Sequence, residues 1–333
     1  MTAAIRRIGV VGGGAWGTTL ALLAARAKLH PTLWVREPEV AAAIAAGRDN
    51  PFLPGVALDA AINATTDFDA LRECDALLLA APAQHLRSVC RSLRPNVRSG
   101  APITICSKGI EETSGALLSE VVATELPGAP IAVLSGPTFA PEIARDLPAA
   151  VTLACRDAEI GKALVEAIGT PTFRPYFSED IIGAQVGGGV KNVIAIACGI
   201  VAGRKMGDNA RAALVTRGLA EIQRLGHALH ARPATLMGLS GLGDLVLTCS
   251  SEQSRNYSLG IALGRGKKTA EIVASQTSVA EGVATAAAVV CRAARLKIEM
   301  PISAAVDAIV NKSAAIDQAI QALLARPFRA EGK

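Results

Sequence analysis

Residues 12–17, Gly-Gly-Gly-Ala-Trp-Gly, have the spacing G-x-G-x-x-G and directly follow the apolar residues 8–11. When such a motif joins a strand to a helix, Gly12 allows the tight turn, Gly14 lets the backbone approach a pyrophosphate, and Gly17 lets helix and strand pack closely. The helix N-terminus adds unpaired N–H groups and a positive dipole end. The motif therefore predicts a dinucleotide site, and a purely structural glycine turn is the alternative.

The end of the next apolar run bears on which dinucleotide fits. An NAD-specific site places Asp or Glu about 20 residues after the motif, where the carboxylate binds the ribose 2′-hydroxyl. This chain has Arg36 followed by Glu37. A guanidinium pairs well with a 2′-phosphate, so Arg36 favours NADPH, while Glu37 leaves NADH open. A solvated arginine at a strand end is the alternative.

Lys191 is a cation inside an otherwise apolar segment. Three glycines at 187–189 precede it, and the apolar residues 193–197 follow. Charged residues avoid apolar helices unless they are paired or functional. We expect Lys191 to lie near a helix N-terminus, whose dipole would lower the pKa of the amine and suit it to acid/base chemistry. A lysine that extends to solvent or forms a structural ion pair is the alternative.

Further polar residues follow apolar runs. Lys108 comes two residues after one run, and Gly136 and Thr138 follow another. Ligands of open parallel sheets bind beside the carboxyl ends of the strands, so we expect these three residues to face the cofactor cleft. Taken alone, a lysine in such a position is most often a surface charge.

Two short polar segments stand out in the second half of the chain. Asp244 lies in the glycine-rich turn at residues 241–245, where its carboxylate could orient an amine. Ser254, Arg255 and Asn256 bring a hydroxyl, a guanidinium and an amide together, which would suit a phosphate clamp. Such tripeptides are also common on protein surfaces.

The pattern of apolar residues divides the chain in two. Up to about residue 178, short apolar runs alternate with helical patterns, which indicates a parallel sheet covered on both faces, a Rossmann-type doubly wound α/β fold. Beyond it helical spacing dominates. We therefore predict an NAD(P)-binding domain at 1–178 and an all-helical substrate domain at 179–333. The predicted strands are residues 8–11, 32–35, 76–79, 103–106, 131–134 and 150–153, and the predicted helices include 18–28, 84–93, 209–229, 278–295 and 302–324.

Composition excludes several classes of protein. Half of the 333 residues are apolar and 19% are charged, which speaks against disorder. Aromatic residues make up 3%, and the net charge of +5 is spread along the chain, so we expect no nucleic-acid binding. The seven cysteines have no C-x-x-C spacing, and only His227 and His230 lie close together, so we expect no metal. The apolar run at 193–203 is shorter than a membrane span.

Seven separated segments, taken together, resemble bacterial NAD(P)-dependent glycerol-3-phosphate dehydrogenases. Their order and spacing match that family over essentially the whole chain, which is far more specific than a glycine motif alone. The segments are residues 12–17, 107–109, 134–140, 190–195, 241–245, 253–256 and 281–282.

The resemblance implies a cytoplasmic homodimer that reversibly reduces dihydroxyacetone phosphate to sn-glycerol 3-phosphate, the precursor of glycerophospholipids. It implies that Lys191 transfers the proton, and Asp244 should hold its amine. The substrate positions of the family fall on Lys108, Gly136, Thr138, Lys191, Asp244, Ser254, Arg255 and Asn256. The cofactor positions, besides the motif glycines, fall on Ala15, Trp16, Arg36, Lys108, Ala140, Arg255, Val279 and Glu281.

One departure from the family concerns the cofactor. Some members have Ser and then Tyr or Phe where this chain has Ala15 and Trp16. Backbone N–H contacts to the pyrophosphate would survive this change, but a serine hydroxyl contact would not. We therefore expect this departure to bear on the affinity for cofactor and not on the reaction.

Two other functions fit parts of the pattern. Another two-domain reductase, of the β-hydroxyacid or ketopantoate type, would not require the phosphate clamp at residues 254–256. A non-catalytic dinucleotide sensor would bind cofactor without needing Lys191. Substrate-dependent oxidation of the cofactor separates these possibilities.

Overall fold

A computed structural model of the chain describes residues 4–47, 49–268, 271–272, 280–328 and 330. Its described part contains one eight-stranded sheet, in the order β3-β2-β1-β4-β5-β6-β7-β8. The first six strands of that order follow the doubly wound arrangement of Rossmann folds. The strands are β1 (Arg7–Val11), β2 (His30–Trp34), β3 (Asn63–Thr65), β4 (Ala76–Leu79), β5 (Ile103–Ile105), β6 (Ile131–Ser135), β7 (Ala149–Cys155) and β8 (Phe173–Ser178).

Helices cover both faces of the sheet. The central strand β4 is buried at every residue, as expected for a strand covered on both sides. The helix after the glycine motif, α1, buries a continuous series of Thr, Leu and Ala residues against the sheet. The helices of this half are α1 (Ala15–Arg26), α2 (Pro38–Gly47), α3 (Leu86–Leu93), α4 (Leu118–Glu125), α5 (Ala140–Ala144) and α6 (Ala158–Ile168).

Beyond β8 the described residues form helices without strands. The longest, α7 (Ile181–Gly203), lies in the middle of the helical half and is buried along almost its whole length. By length and composition α7 could cross a membrane, but 89% of its most apolar stretch is buried inside the fold, so it is a core helix. The others are α8 (Asp208–Ala228), α9 (Pro233–Leu236), α10 (Asp244–Ser250), α11 (Arg255–Gly264), α12 (Gly282–Leu296), α13 (Pro301–Lys312) and α14 (Ile316–Leu324).

The sheet differs from the prediction in three respects. Strand β7 was predicted to be parallel, but it runs antiparallel to β6. The connection from β6 to β7 contains only the five-residue helix α5, whereas the parallel crossover from β7 to β8 contains the eleven-residue helix α6. Strands β3 and β8 were not predicted, because β3 has only three residues and β8 contains Pro175, which is tolerated here at a sheet edge.

Two predicted helices also differ. The glycines at 187–189 lie inside α7 and do not precede a helix, since α7 begins at Ile181 and Asp180 caps it by accepting a hydrogen bond from the N–H of Gly183. The predicted helix at 302–324 is two helices, α13 and α14. They are separated at Ser313, which has a left-handed φ of 57°.

Candidate active site

The glycine motif forms the turn between β1 and α1. Gly12 has φ +122°, a conformation that side-chain-bearing residues rarely adopt. A Cβ at Gly17 would overlap the carbonyl oxygen of Gly12, whereas a Cβ at Gly14 would have nothing within 4 Å. No side chain caps α1 at Gly14, so the first-turn N–H groups are available. This turn therefore fits a dinucleotide pyrophosphate, with an open approach at Gly14 and positive helix-dipole charge behind it.

Trp16 and Ala140 lie beside this turn. The indole Nε1 of Trp16 donates a hydrogen bond of 3.1 Å to the carbonyl oxygen of Cys106, at the carboxyl end of β5. The carbonyl oxygen of Ala140 accepts one of 3.2 Å from the Thr19 hydroxyl of α1. Trp16 therefore contacts the carboxyl end of β5, and Ala140 contacts α1.

Arg36 follows β2 and is exposed, with 75% of its side chain accessible. Its Nε donates a hydrogen bond of 2.8 Å to Oε1 of Glu37. The guanidinium is therefore free to move towards a ligand, but its neighbouring carboxylate competes with a 2′-phosphate for it.

Lys108, Asp244 and Lys191 form a connected cluster at the carboxyl edge of the sheet. Asp244 is fully buried between the two amines, with Oδ1 2.6 Å from Lys191 Nζ and Oδ2 2.7 Å from Lys108 Nζ. The Lys108 amine also donates to the carbonyl oxygen of Gly136, at 2.8 Å, and to the hydroxyl of Thr138, at 3.3 Å. Five predicted substrate positions thus meet at one point, although 136 residues separate Lys108 from Asp244.

The buried environment of Lys191 alters the pKa of its amine. Burial lowers the pKa of its amine from 10.5 to about 8, the charge of Lys108 acts in the same direction, and Asp244 opposes both. The helix dipole was the wrong explanation, because Lys191 lies ten residues inside α7 and the dipole acts only over the first turn. An amine with a pKa of about 8 suits general acid/base work.

The three glycines of α7 allow this cluster to assemble. A Cβ at Gly187 would overlap the carbonyl oxygen of Ser240, in the π-helical turn Leu239–Gly243 that leads into Asp244. A Cβ at Gly188 would overlap the hydroxyl of Ser135 at the end of β6. A Cβ at Gly189 would lie 3.5 Å from the backbone of Gly109. The helix that carries Lys191 therefore contacts the segments next to Asp244 and Lys108 at backbone distance.

Two residues at the site were missed by the sequence analysis. The Lys191 amine donates a hydrogen bond of 2.6 Å to the hydroxyl of Thr248, which donates one of 3.2 Å to Oδ1 of Asp244. Thr248 lies four residues after Asp244, on the same face of α10, and this spacing was an available signal. Asn192 accepts a hydrogen bond of 3.0 Å from the side chain of Asn256, which connects α7 to the predicted phosphate clamp.

The three residues of that clamp have different environments. Ser254 is buried and caps α11, accepting a hydrogen bond of 3.2 Å from the N–H of Tyr257. Asn256 is buried and accepts one of 2.9 Å from the N–H of Gly282. Arg255 is exposed at the N-terminus of α11. Of these three side chains, that of Arg255 is therefore the exposed one.

Glu281 lies near the same region. One carboxylate oxygen accepts a hydrogen bond of 3.1 Å from the N–H of Ala83, and the other is buried without a partner among the described residues. Burial raises the pKa of the Glu281 carboxyl, against the hydrogen bond from Ala83 and the charge of Arg255. The remaining predicted cofactor position, Val279, lies outside the described residues.

The glycine turn is open to a dinucleotide, and the site also contains a buried lysine whose pKa is lowered. Together with the fold, these features place the chain among the NAD(P)-dependent oxidoreductases with a Rossmann fold. Two family models match it. The N-terminal model of NAD-dependent glycerol-3-phosphate dehydrogenase matches residues 7–161, and the C-terminal model matches residues 180–321. The chain belongs to the NAD-dependent glycerol-3-phosphate dehydrogenase family.

Individual relatives agree over the full length. A glycerol-3-phosphate dehydrogenase (NAD(P)+) from Rhodospirillum rubrum is 58% identical, covering 100% of this chain and 96% of the relative. One from Parvibaculum lavamentivorans is 56% identical, covering 99% of this chain and 100% of the relative. The crystal structure of glycerol-3-phosphate dehydrogenase from Coxiella burnetii superposes with a TM-score of 0.93 at 39% identity, covering 97% of this chain and 99% of that one.

Proposed function

We propose that this protein catalyses the reversible reduction of dihydroxyacetone phosphate to sn-glycerol 3-phosphate with NADPH or NADH, and so supplies glycerophospholipid biosynthesis. Its full-length relatives carry the name of this activity. The observation that carries the proposal is the buried contact of Lys191 with Asp244, 2.6 Å long, at the sheet edge where the glycine turn opens. This contact holds the Lys191 amine as the proton donor that a carbonyl reductase needs.

The chemistry divides between cofactor and protein. The bound reduced nicotinamide supplies a hydride to the ketone carbon. Lys191, as the ammonium, donates a proton from Nζ to the oxygen of that carbon, and in the reverse direction the neutral amine accepts the hydroxyl proton. Asp244 and Thr248 hold Nζ in place through their hydrogen bonds of 2.6 Å each. General acid/base assistance of this kind contributes about 10²–10⁴-fold to the rate.

Lys108 acts on the substrate from the other side of Asp244. Its side chain is 16% exposed, compared with 7% for Lys191, and its amine contacts Gly136 and Thr138 as well as Asp244. From there Lys108 binds a substrate oxygen and helps to polarise the carbonyl group of the substrate. Gly136 and Thr138 orient the Lys108 amine and the substrate. Because the single charge of Asp244 is shared by Lys108 and Lys191, neither lysine is fully neutralised. Both can therefore stabilise the negative charge that develops on the substrate oxygen.

The N-terminus of α11 holds the substrate phosphate. The Arg255 guanidinium supplies a flexible, charged contact, and the first-turn N–H groups add partial positive charge. Ser254 and Asn256 form this site mainly by fixing its shape, because their side chains already bind Tyr257, Asn192 and Gly282. Binding energy from the phosphate, which is remote from the reacting carbon, positions the ketone.

The cofactor extends along the sheet edge. We assign its pyrophosphate to the turn at Gly12, Gly14 and Gly17, and the ribose 2′-phosphate of NADPH to Arg36. The preference for NADPH is moderate, because Glu37 competes for that guanidinium. The other residues that we assign to the cofactor are Ala15, Trp16, Lys108, Ala140, Arg255 and Glu281.

The chain is proposed to be organised as an NAD(P)-binding domain at residues 1–178 and a helical substrate domain at 179–333. This division is supported by the last strand, which ends at Ser178, and by α7, which begins at Ile181. The family resemblance further supports a cytoplasmic homodimer. Light scattering would test the homodimer, and cell fractionation would test the cytoplasmic location.

Substrate-dependent cofactor oxidation tests the proposed reaction. Purified protein is incubated with NADPH, and in parallel NADH, in the presence of dihydroxyacetone phosphate or unphosphorylated dihydroxyacetone. We expect rapid oxidation only with the phosphorylated ketone. Cofactor binding without such turnover would overturn the substrate assignment and leave only the dinucleotide site.

A further inference from the structure

A buried asparagine lies directly behind the glycine turn. Asn50, in the loop after α2, has no exposed surface. Its Nδ2 donates to the carbonyl oxygen of Gly13, at 2.9 Å, and to the hydroxyl of Thr18, at 2.7 Å. Its Oδ1 accepts a hydrogen bond of 2.9 Å from the N–H of Phe52. Both amide donor positions and the acceptor are therefore in use, and two of these bonds end on the turn or on α1.

These bonds determine the direction of one peptide group. The Thr18 hydroxyl adds a second, longer hydrogen bond of 3.4 Å to the Gly13 carbonyl oxygen, so this oxygen is held inside the protein by two donors. In a planar trans peptide the C=O and N–H groups point in opposite directions. The N–H of Gly14 must therefore point away from Asn50, to the outside of the turn.

The two glycines of this peptide have different surroundings. Gly13 is buried against Val35, where even a Cβ would overlap a side-chain carbon, so the peptide lies in a close-fitting space. Gly14 is exposed, with nothing within 4 Å of a Cβ built on it. The Gly13–Gly14 peptide thus has its carbonyl in a polar buried pocket and its N–H at the open surface to which we assign the pyrophosphate.

We propose that Asn50 is a positioning residue for cofactor binding: it holds the Gly13 carbonyl inward so that the Gly14 N–H is already directed at the cofactor pyrophosphate before binding. This inference rests on the proposed function, since it assumes that a dinucleotide occupies the turn. Asn50 acts through the peptide and does not touch the cofactor. An N–H fixed in advance binds a phosphate oxygen without the cost of turning the peptide.

The test replaces Asn50 by leucine, which has a similar size and no hydrogen-bond donor. Dissociation constants are measured by isothermal titration calorimetry for NADPH, NADH, ADP-ribose and adenosine 2′-phosphate. The first three contain a pyrophosphate, and the last has no phosphate at the 5′ position. We expect N50L to bind the first three about tenfold or more weakly, by similar factors, while adenosine 2′-phosphate changes by less than about twofold. At saturating cofactor, kcat should stay close to that of the unchanged protein.

Asn96 offers a matched control. It is another buried asparagine, it accepts a hydrogen bond of 2.6 Å from Arg72 Nε, and none of its described bonds reaches the turn. The variant N96L should lower the thermal unfolding temperature and leave all four dissociation constants unchanged. If N50L does not fold, Thr18→Val removes the second donor and should weaken pyrophosphate ligands severalfold, while Thr18→Ser restores binding.

Each result has a distinct meaning. Unchanged binding of ADP-ribose by N50L, or an equal loss for adenosine 2′-phosphate, would overturn the positioning role and leave Asn50 as a structural residue. For T18V, unchanged ADP-ribose binding would do the same. Failure of the unchanged protein to bind NADPH and NADH would instead contradict the proposed function.

Discussion

Lys191 and Asp244 are joined by a buried contact of 2.6 Å between residues 53 positions apart, one in the middle of α7 and the other at the first position of α10. The second oxygen of the same carboxylate is 2.7 Å from Lys108. The single negative charge of Asp244 is therefore paired with two lysine cations. Asp244 opposes the effect of burial on Lys191 only in part, which leaves the pKa of its amine at about 8.

The pH dependence should reverse with the direction of the reaction. Ketone reduction requires the ammonium form of Lys191, so its kcat/KM should fall as the pH rises through about 8. Alcohol oxidation requires the neutral amine, so its kcat/KM should rise over the same range. Initial rates from pH 6 to 10 at saturating cofactor measure both profiles. The same inflection direction in both reactions would exclude Lys191 as the titrating group.

Lys108 should influence that inflection. Its charge contributes to lowering the pKa of Lys191, and it shares Asp244. In Lys108→Met both effects disappear, and the inflection should move to higher pH while activity decreases. An unchanged or lower inflection would show that Lys108 and Lys191 are not electrostatically coupled.

Thr248 should act as a positioning residue for the Lys191 amine. Loss of a hydrogen bond to a charged group costs about 1.5–3 kcal/mol, so Thr248→Val should lower kcat about 10–100-fold with a smaller change in KM. Thr248→Ser retains the hydroxyl and should recover most of the rate. If T248S loses as much activity as T248V, the retained hydroxyl does not rescue the rate, and positioning of Lys191 by the Thr248 hydrogen bond would be contradicted.

Arg255 should distinguish phosphorylated from unphosphorylated substrate. Arg255→Ala should lower kcat/KM for dihydroxyacetone phosphate about 10–100-fold, because a charge-assisted contact is lost, and leave the slow reaction of dihydroxyacetone nearly unchanged. Arg265, an exposed cation just after the other end of α11, provides the matched control R265A, which should have little effect. Since Arg255 is also assigned to the cofactor, the dissociation constant of NADPH is measured in the same preparation. Equal losses for both ketones would contradict a phosphate contact.

Arg36 should set the choice between cofactors. Arg36→Ala should raise KM for NADPH more than KM for NADH, and Glu37→Gln should favour NADPH by removing the competing carboxylate. Arg94→Ala changes an exposed arginine elsewhere in this half and should alter neither value. Equal effects of R36A on both cofactors would remove Arg36 from 2′-phosphate recognition.

Local sequence predicted the parts of the site that local structure determines. The turn at Gly12 and the position of Arg36 after β2 follow from a motif and a strand end, and Lys191 was recognisable as a cation among apolar residues. The predicted cause of its altered pKa, a helix N-terminus after the three glycines, was wrong. Glycines weaken a helix by propensity, but tertiary packing keeps α7 intact through this tract. Thr248 could not be assigned to Lys191 without the fold, since its contact spans 57 residues.

Sheet topology was less predictable than the site. The antiparallel direction of β7 accompanies a short helix, α5, in the connection from β6. The edge position of β8, which tolerates Pro175, follows only from the pairing of β8 with β7. Neither feature has a periodicity of its own. The position of the site depends on β1, β5 and β6, which were all predicted, so these differences do not move it.

The most direct test of the account is the turnover of Lys191→Met with saturating NADPH and dihydroxyacetone phosphate, in protein shown to bind NADPH with unchanged affinity. Lys162→Met, an exposed lysine on α6, serves as the control. We predict that K191M loses at least about 10²-fold in kcat while K162M loses nothing. A folded, cofactor-binding K191M with turnover close to that of the unchanged protein would contradict the central role of Lys191.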